Sequence, residues 1–219
     1  VVGALMVPWP DVSPDVKLDR WFTAELDDRV VDFWDARNQL ILWGGIGVGG
    51  LGTWIWAAVS DRAYVAQGIS LMAEAMAVGQ VYHVGLKLLL GREGPTDGTR
   101  TGKFLGPGRA IRYYPAGTPS GHAATLYSVM SAGFAYFQPP LWVEVAAHSF
   151  LGTAVLFHVI GHRHYISDSL WGAALGWYVG QWVVRHRASR LDADDTQMDA
   201  QIIPWTRKEA AGLALVAKF

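Results

Sequence analysis

Five long stretches of the chain are apolar and poor in charge, and no other feature restricts the possible folds as strongly. They cover residues 39–60, 65–90, 120–137, 141–160 and 168–184. Each is near the length that a helix needs to cross the hydrocarbon core of a membrane. Only 17% of the 219 residues are charged, and Trp (11) and Gly (25) are abundant, as in many membrane proteins. The sequence therefore predicts an all-α fold, a membrane-embedded helical bundle of about five to six transmembrane helices. The alternative is the buried core of a large soluble helical protein.

The N-terminal part has a different pattern. Residues 14–37 place apolar side chains at helical spacing, with charged residues on the opposite face; the apolar positions are Leu18, Phe22, Leu26, Val30 and Phe33. This favours an amphipathic helix that lies at the membrane surface, and a surface helix packed on soluble protein is the alternative. We expect residues 1–38 to form a terminal stub and interfacial helix, residues 39–185 a transmembrane domain, and residues 186–219 a C-terminal tail without a clear period.

The loops between the stretches are uneven in length and charge. If all five stretches cross a membrane, the loops at 91–119 and 161–167 lie on the same side. Arg185, Arg187 and Arg190 follow the last stretch and favour a cytoplasmic tail, so the two loops are expected to face outside. A net charge of −1 supplies no field that recruits nucleic acid, and without Cys there is no thiol chemistry.

Three groups of polar residues lie at the ends of stretches on that outer side. They are Lys87 near the end of the second stretch with Arg92 just after it, Ser120, Gly121 and His122 at the start of the third, and Arg163, His164 and Asp168 at the start of the fifth. Ser120 opens a predicted helix, where unpaired backbone N–H groups and the helix dipole favour an anion. Gly121 lets the backbone approach closely. Taken alone, Ser120 is equally an ordinary helix N-cap, and Lys87 a side chain that reaches the membrane edge.

The spacing of His164 and Asp168 indicates a specific chemistry. Residues four apart share a helix face, and a carboxylate beside one imidazole nitrogen leaves the other free to attack phosphorus. His122 is then the natural acid for the leaving oxygen. A His-x-x-x-Asp pair alone is more often a structural hydrogen bond, so the hypothesis depends on the three groups occurring together.

Together these groups resemble the type 2 phosphatidic acid phosphatase (PAP2) superfamily. The likeness lies in residues 87–95 (KLLLGREGP), 119–122 (PSGH) and 157–168 (FHVIGHRHYISD). It implies a helical bundle and a phosphohistidine mechanism, with His164 as nucleophile, Asp168 orienting it and His122 as acid. It also implies that Lys87, Ser120 and Gly121 bind phosphate oxygens, at the outer face of a bacterial inner membrane.

The chain departs from the family pattern at two positions. Gly94 and His158 stand where the first and third motifs have arginines that grip phosphate oxygens. Either Arg92, Arg112 or Arg163 reaches the site from elsewhere, or the substrate is a phosphodiester with a single negative charge, or the protein no longer catalyses a reaction. Residues 161–177 support the second interpretation, a phosphodiester substrate, because they are similar to the His-Tyr-x-x-Asp stretch of the sphingolipid phosphotransferases.

The expected function is a membrane lipid phosphatase or phosphotransferase acting on a lipid with a phosphate headgroup. The alternatives are a catalytically degraded structural or lipid-binding subunit and, more remotely, a vanadate-dependent haloperoxidase. The expected partners are that lipid and the bilayer, with no nucleic acid. No cofactor is expected, and no metal either, because the histidines lack a partner set at ligand spacing.

Overall fold

A computed structural model describes residues 2–6, 12–25, 27, 29, 32–33, 37, 40–96, 98–107, 117–193, 199–207 and 210–218. Its helices are α1 (Val2–Met6), α2 (Pro14–Glu25), a π-helix (Leu40–Gly49) that continues into α3 (Gly50–Val59), α4 (Ala63–Leu90), α5 (Gly121–Phe137), α6 (Leu141–Ile160) and α7 (Ile166–Ala193). For the described residues up to 193, this succession of helices confirms the predicted all-α class. Two compact units divide the chain, Val1–Val184 and Arg185–Phe219.

The second unit contains an antiparallel hairpin of β1 (Asp199–Arg207) and β2 (Ala210–Lys218), in which Asp199 lies opposite Lys218. The sequence does not predict these strands, because residues 201–219 show neither a helical nor an alternating pattern.

Helix ends follow local signals in the sequence. α5 begins after Ser120, whose Oγ accepts a hydrogen bond from the Ala123 N–H at 3.4 Å, so Ser120 is its N-cap. α4 ends at Gly91, which adopts a left-handed conformation with φ of 55° and is the C-cap that glycine favours. α6 coincides with the predicted stretch 141–160, whereas α7 continues nine residues beyond the predicted end at 184.

Close helix packing occurs at a different set of glycines from the one that the sequence suggests. The glycine-rich run at 44–52 is expected to allow close packing, but a Cβ added at Gly45, Gly47 or Gly50 would have no neighbour within 4 Å among the described residues, so within that part of the chain this expectation is wrong. Instead, a Cβ at Gly176 would lie 2.3 Å from the Ala124 carbonyl oxygen. Gly172 and Gly180 make similarly close approaches to α5. Glycines four residues apart thus bring the backbones of α5 and α7 together, as in many membrane helix pairs.

Gly176→Ala is expected to lower the free energy of unfolding by about 1–3 kcal/mol, because the new methyl group overpacks a backbone contact that cannot yield. The matched control is Gly85→Ala in α4, where an added Cβ meets nothing within 4 Å. That control is expected to be neutral or to stabilise the protein by up to about 1 kcal/mol, since alanine favours helix more than glycine does. Thermal unfolding in detergent compares the two variants, and equal shifts would contradict the packing argument.

The helix predicted over residues 14–37 is described without a break only as α2, and it is less one-sided than predicted. α2 ends at Glu25, and much of the predicted remainder up to residue 37, including Leu26 and Val30, lies outside the described residues. Trp21 is 56% exposed, while Asp15 is 1% exposed. A carboxylate expected on a solvated face is therefore buried in the protein.

By length and composition, one helix in the described part of the chain is able to cross a membrane, namely α6. A shorter apolar helix covers Gly44–Val59.

Candidate active site

The ends of four helices meet at one place and bring the three polar groups of the sequence together. The backbone N–H of Ser120, before α5, donates to the backbone carbonyl of Asp168 in α7 at 2.8 Å. The rings of His122 in α5 and His158 in α6 have centroids 4.2 Å apart. A Cβ at Gly121 would lie 2.9 Å from Nε2 of His83 in α4.

His164 and Asp168 lie beside each other at the start of α7, and both are buried. Nδ1 of His164 is 3.8 Å from Oδ2 of Asp168, which exceeds hydrogen-bond length but keeps the carboxylate next to the ring. Oδ2 accepts a hydrogen bond from the Tyr165 backbone N–H at 3.0 Å. Burial lowers the pKa of His164, against the opposing effect of Asp168. The imidazole is therefore neutral at neutral pH, which is the form that can act as a nucleophile.

Arg92 lies between two carboxylates. Nη1 pairs with Oδ1 of Asp168, and Nη2 donates to Oδ2 of Asp15 at 2.9 Å; none of the three side chains is exposed. Nε of Arg92 donates to the Gly102 carbonyl at 3.2 Å. Burial alone would lower the pKa of the guanidinium, but Asp168 and Asp15 outweigh it and raise that pKa. This geometry does not favour the phosphate-binding role expected for Arg92, because its donors are already directed at protein acceptors.

The series Asp15–Arg92–Asp168, called the carboxylate ladder below, is further linked by hydrogen bonds to hydroxyl groups. Ser167 Oγ accepts from Arg92 at 2.8 Å and donates to Asp15, and the Ser167 N–H donates to Asp15 Oδ1 at 3.1 Å. Thr118 Oγ1 donates to Asp168. Sequence reasoning missed Asp15, since an acidic residue on an amphipathic helix normally faces solvent.

The remaining expected phosphate ligands differ in exposure. Lys87 is buried, with 3% of its surface exposed, so it is not a side chain that extends to the membrane edge. Arg163 is exposed next to His164. His158 occupies the family's arginine position and is 3% exposed, against the ring of His122. Arg112 lies outside the described residues.

His83 is a further site residue that sequence reasoning missed. It lies one turn before Lys87 on α4, and both face the interior. The four-residue spacing to Lys87 was the available signal, because i and i+4 share a helix face.

Comparison with known proteins gives the family of the chain. The PAP2 superfamily model matches residues 68–191, a range that is more than half of the chain and includes all four helix ends at the site. No match was found among curated proteins or among solved structures. On the strength of that match the chain belongs to the PAP2 superfamily, whose members are generally phosphatases that act on phosphate esters.

Proposed function

We propose that the protein is a membrane lipid phosphatase or phosphotransferase that cleaves a lipid phosphate ester through a phosphohistidine on His164. The observation that carries this proposal is the neutral, buried imidazole of His164 beside Asp168, at the meeting point of the three motifs. Hydrolysis and transfer differ only in whether water or an alcohol completes the reaction.

Each side chain then has a separate task. Nδ1 of His164 faces Asp168, so Nε2 is the atom that attacks phosphorus. His122 gives a proton to the leaving oxygen. Lys87, Arg163 and the Gly121 N–H stabilise the charge that develops on the phosphoryl oxygens. The hydroxyl of Ser120 assists them, since its backbone N–H already donates to the Asp168 carbonyl. A hydroxyl oxygen then attacks the phosphohistidine, the now deprotonated His122 takes the proton of that hydroxyl, and the P–N electron pair returns to the imidazole.

The charge of the site favours a phosphodiester over a phosphate monoester. Gly94 and His158 supply no permanent positive charge where the family has arginine, and Arg92 is paired with two carboxylates. Less positive charge therefore remains to compensate the two negative charges of a phosphate monoester. A lipid phosphodiester, with one negative charge, suits this environment better.

Side-chain distribution supports a membrane location. Large apolar side chains point outward, among them Val81 (73% exposed), Trp142 (72%) and Tyr178 (69%), while Ser128 and Ser131 are fully buried. Water disfavours such a surface, but lipid accommodates it, and small or polar residues are typical of the interior of membrane bundles. We therefore propose that α4, α5 and α7 cross the membrane together with α6.

Arg185 and Arg187 favour a cytoplasmic end for α7, with the site on the periplasmic side of a bacterial inner membrane.

A second function, a non-catalytic lipid-binding or structural subunit, is favoured by one observation. His158 replaces a motif arginine and packs on His122, the expected acid. Such a subunit would bind lipid without turnover.

A substrate panel tests the proposal. Purified protein in lipid nanodiscs receives phosphatidate, a prenyl diphosphate, or phosphatidylglycerol with isotopically labelled diacylglycerol as acceptor, so that transfer yields labelled phosphatidylglycerol. Free phosphate from the first two indicates hydrolysis, and headgroup transfer from the third is the result that we expect. Acid-labile label on His164 identifies the intermediate. If no lipid reacts and no label is trapped, catalysis is excluded and the subunit role is favoured.

A further inference from the structure

His83 lies in the proposed site but belongs to none of the three motifs. Its side chain is buried, with 4% exposure, and its ring contacts the backbone of Gly121, where a Cβ would lie 2.7 Å from Cε1. The imidazole therefore borders the position at which the N-terminus of α5 would receive a phosphate.

A chain of hydrogen bonds determines which nitrogen of His83 carries the proton. Nε2 of Gln80 donates to Oγ1 of Thr125 at 2.6 Å, and that hydroxyl donates to the Gly121 carbonyl at 2.8 Å. The other amide atom of Gln80, Oε1, can only accept, and it lies 3.2 Å from Nδ1 of His83. Nδ1 is thus the protonated nitrogen, and Nε2 carries a lone pair.

Nε2 of His83 has no hydrogen-bond partner within the described residues, although it is inaccessible to solvent. An unsatisfied buried acceptor is costly, so a ligand group that donates to it would gain affinity. A phosphate oxygen is not such a group, because its lone pairs would oppose that of Nε2. Protonating His83 would place a second positive charge one helical turn from Lys87.

We propose that His83 forms a hydroxyl-binding subsite beside the phosphate, in which Nε2 accepts a hydrogen bond from a substrate hydroxyl. This inference rests on the proposed function and adds to it a preference for hydroxyl-bearing substrates. The hydroxyl has two possible sources with the same chemistry. It belongs either to the headgroup of the phosphodiester or to the water or alcohol that attacks the phosphohistidine.

His83→Leu tests the subsite, since it removes the acceptor at similar volume, and His148→Leu on α6 is the matched control. The His148 ring packs against Trp177 and Tyr127 and has no role in the proposal. Two phosphodiesters are compared, phosphatidylglycerol and phosphatidylpropanol, which differ only in the headgroup hydroxyls. The readouts are the rate of phosphoenzyme formation, the rate of its decay, and the affinity for each lipid in nanodiscs.

A headgroup source predicts that the wild-type protein prefers phosphatidylglycerol by about tenfold in affinity or in phosphoenzyme formation, and that His83→Leu abolishes the preference. An attacking-hydroxyl source predicts equal formation rates but a decay about tenfold slower in His83→Leu. The inference is overturned if the variant matches wild type in all three readouts, or if all of them fall equally for both lipids. If the wild-type protein forms no phosphoenzyme, the proposed function fails. The ratio of its affinities for phosphatidylglycerol and phosphatidylpropanol then decides the role of His83, and a ratio near one overturns the hydroxyl-binding subsite.

Discussion

His164→Ala is expected to reduce turnover by at least about 10³-fold on every phosphate ester that the wild-type protein cleaves, and to abolish the acid-labile phosphoenzyme. The physical reason is that covalent catalysis divides a difficult displacement into two easier ones, and the variant has lost the attacking atom. The lost atom belongs to the imidazole whose Nδ1 lies 3.8 Å from the Asp168 carboxylate. Phosphate release and label trapping measure the two effects separately.

His162→Asn is the control for this prediction. His162 lies on the same short loop and has a positive φ of 52°, which asparagine tolerates better than most residues. Its Nδ1 lies 2.9 Å from Oδ1 of Asp19 on α2. His162 therefore contacts α2, whereas the proposed nucleophile His164 lies beside Asp168 of α7. Activity within about threefold of wild type is expected, since at most one partly exposed ion pair is lost. Undiminished label in His164→Ala would instead place the nucleophile on another histidine.

The features of the fold that could be predicted from the sequence are local ones. The apolar stretch that became α6 has the predicted ends, 141 and 160, because a proline precedes it and a glycine follows it. Ser120 caps α5 as its residue type suggests. Such signals act over a few residues and are therefore visible without a structure.

The features that were missed depend on contacts between distant parts of the chain. Ser167 and Asp15 are joined across 152 positions, and no local pattern distinguishes a buried aspartate on α2 from a solvated one. The sequence offers Arg92 as one of the arginines that could replace the missing motif arginines at the phosphate, whereas the fold places it between two carboxylates. The four-residue spacing of Gly172, Gly176 and Gly180 is visible in the sequence, but the denser glycine run at 44–52 is the stronger local signal for a packing surface.

Arg92→Met is expected to destabilise the protein by about 3–5 kcal/mol, because it removes the cation of the carboxylate ladder and leaves Asp15 and Asp168 buried without it. Activity should fall in kcat, since Asp168 loses the group that holds it beside His164. Chemical unfolding in detergent gives the stability change, and Arg62→Met, at an exposed turn, is the control with an expected change within about 0.5 kcal/mol.

A double variant separates this structural role from direct phosphate binding. Adding Asp15→Asn to Arg92→Met removes one of the two stranded carboxylates, so the double variant should be at least about 1 kcal/mol more stable than the sum of the single effects. If Arg92 instead left the ladder to bind substrate, Arg92→Met would raise KM for the phosphate ester, unfold at the wild-type midpoint and show no coupling to Asp15. The structure favours the first result, because every nitrogen of the guanidinium already donates to the protein, and two of the three nitrogens bind carboxylates that are themselves fully buried.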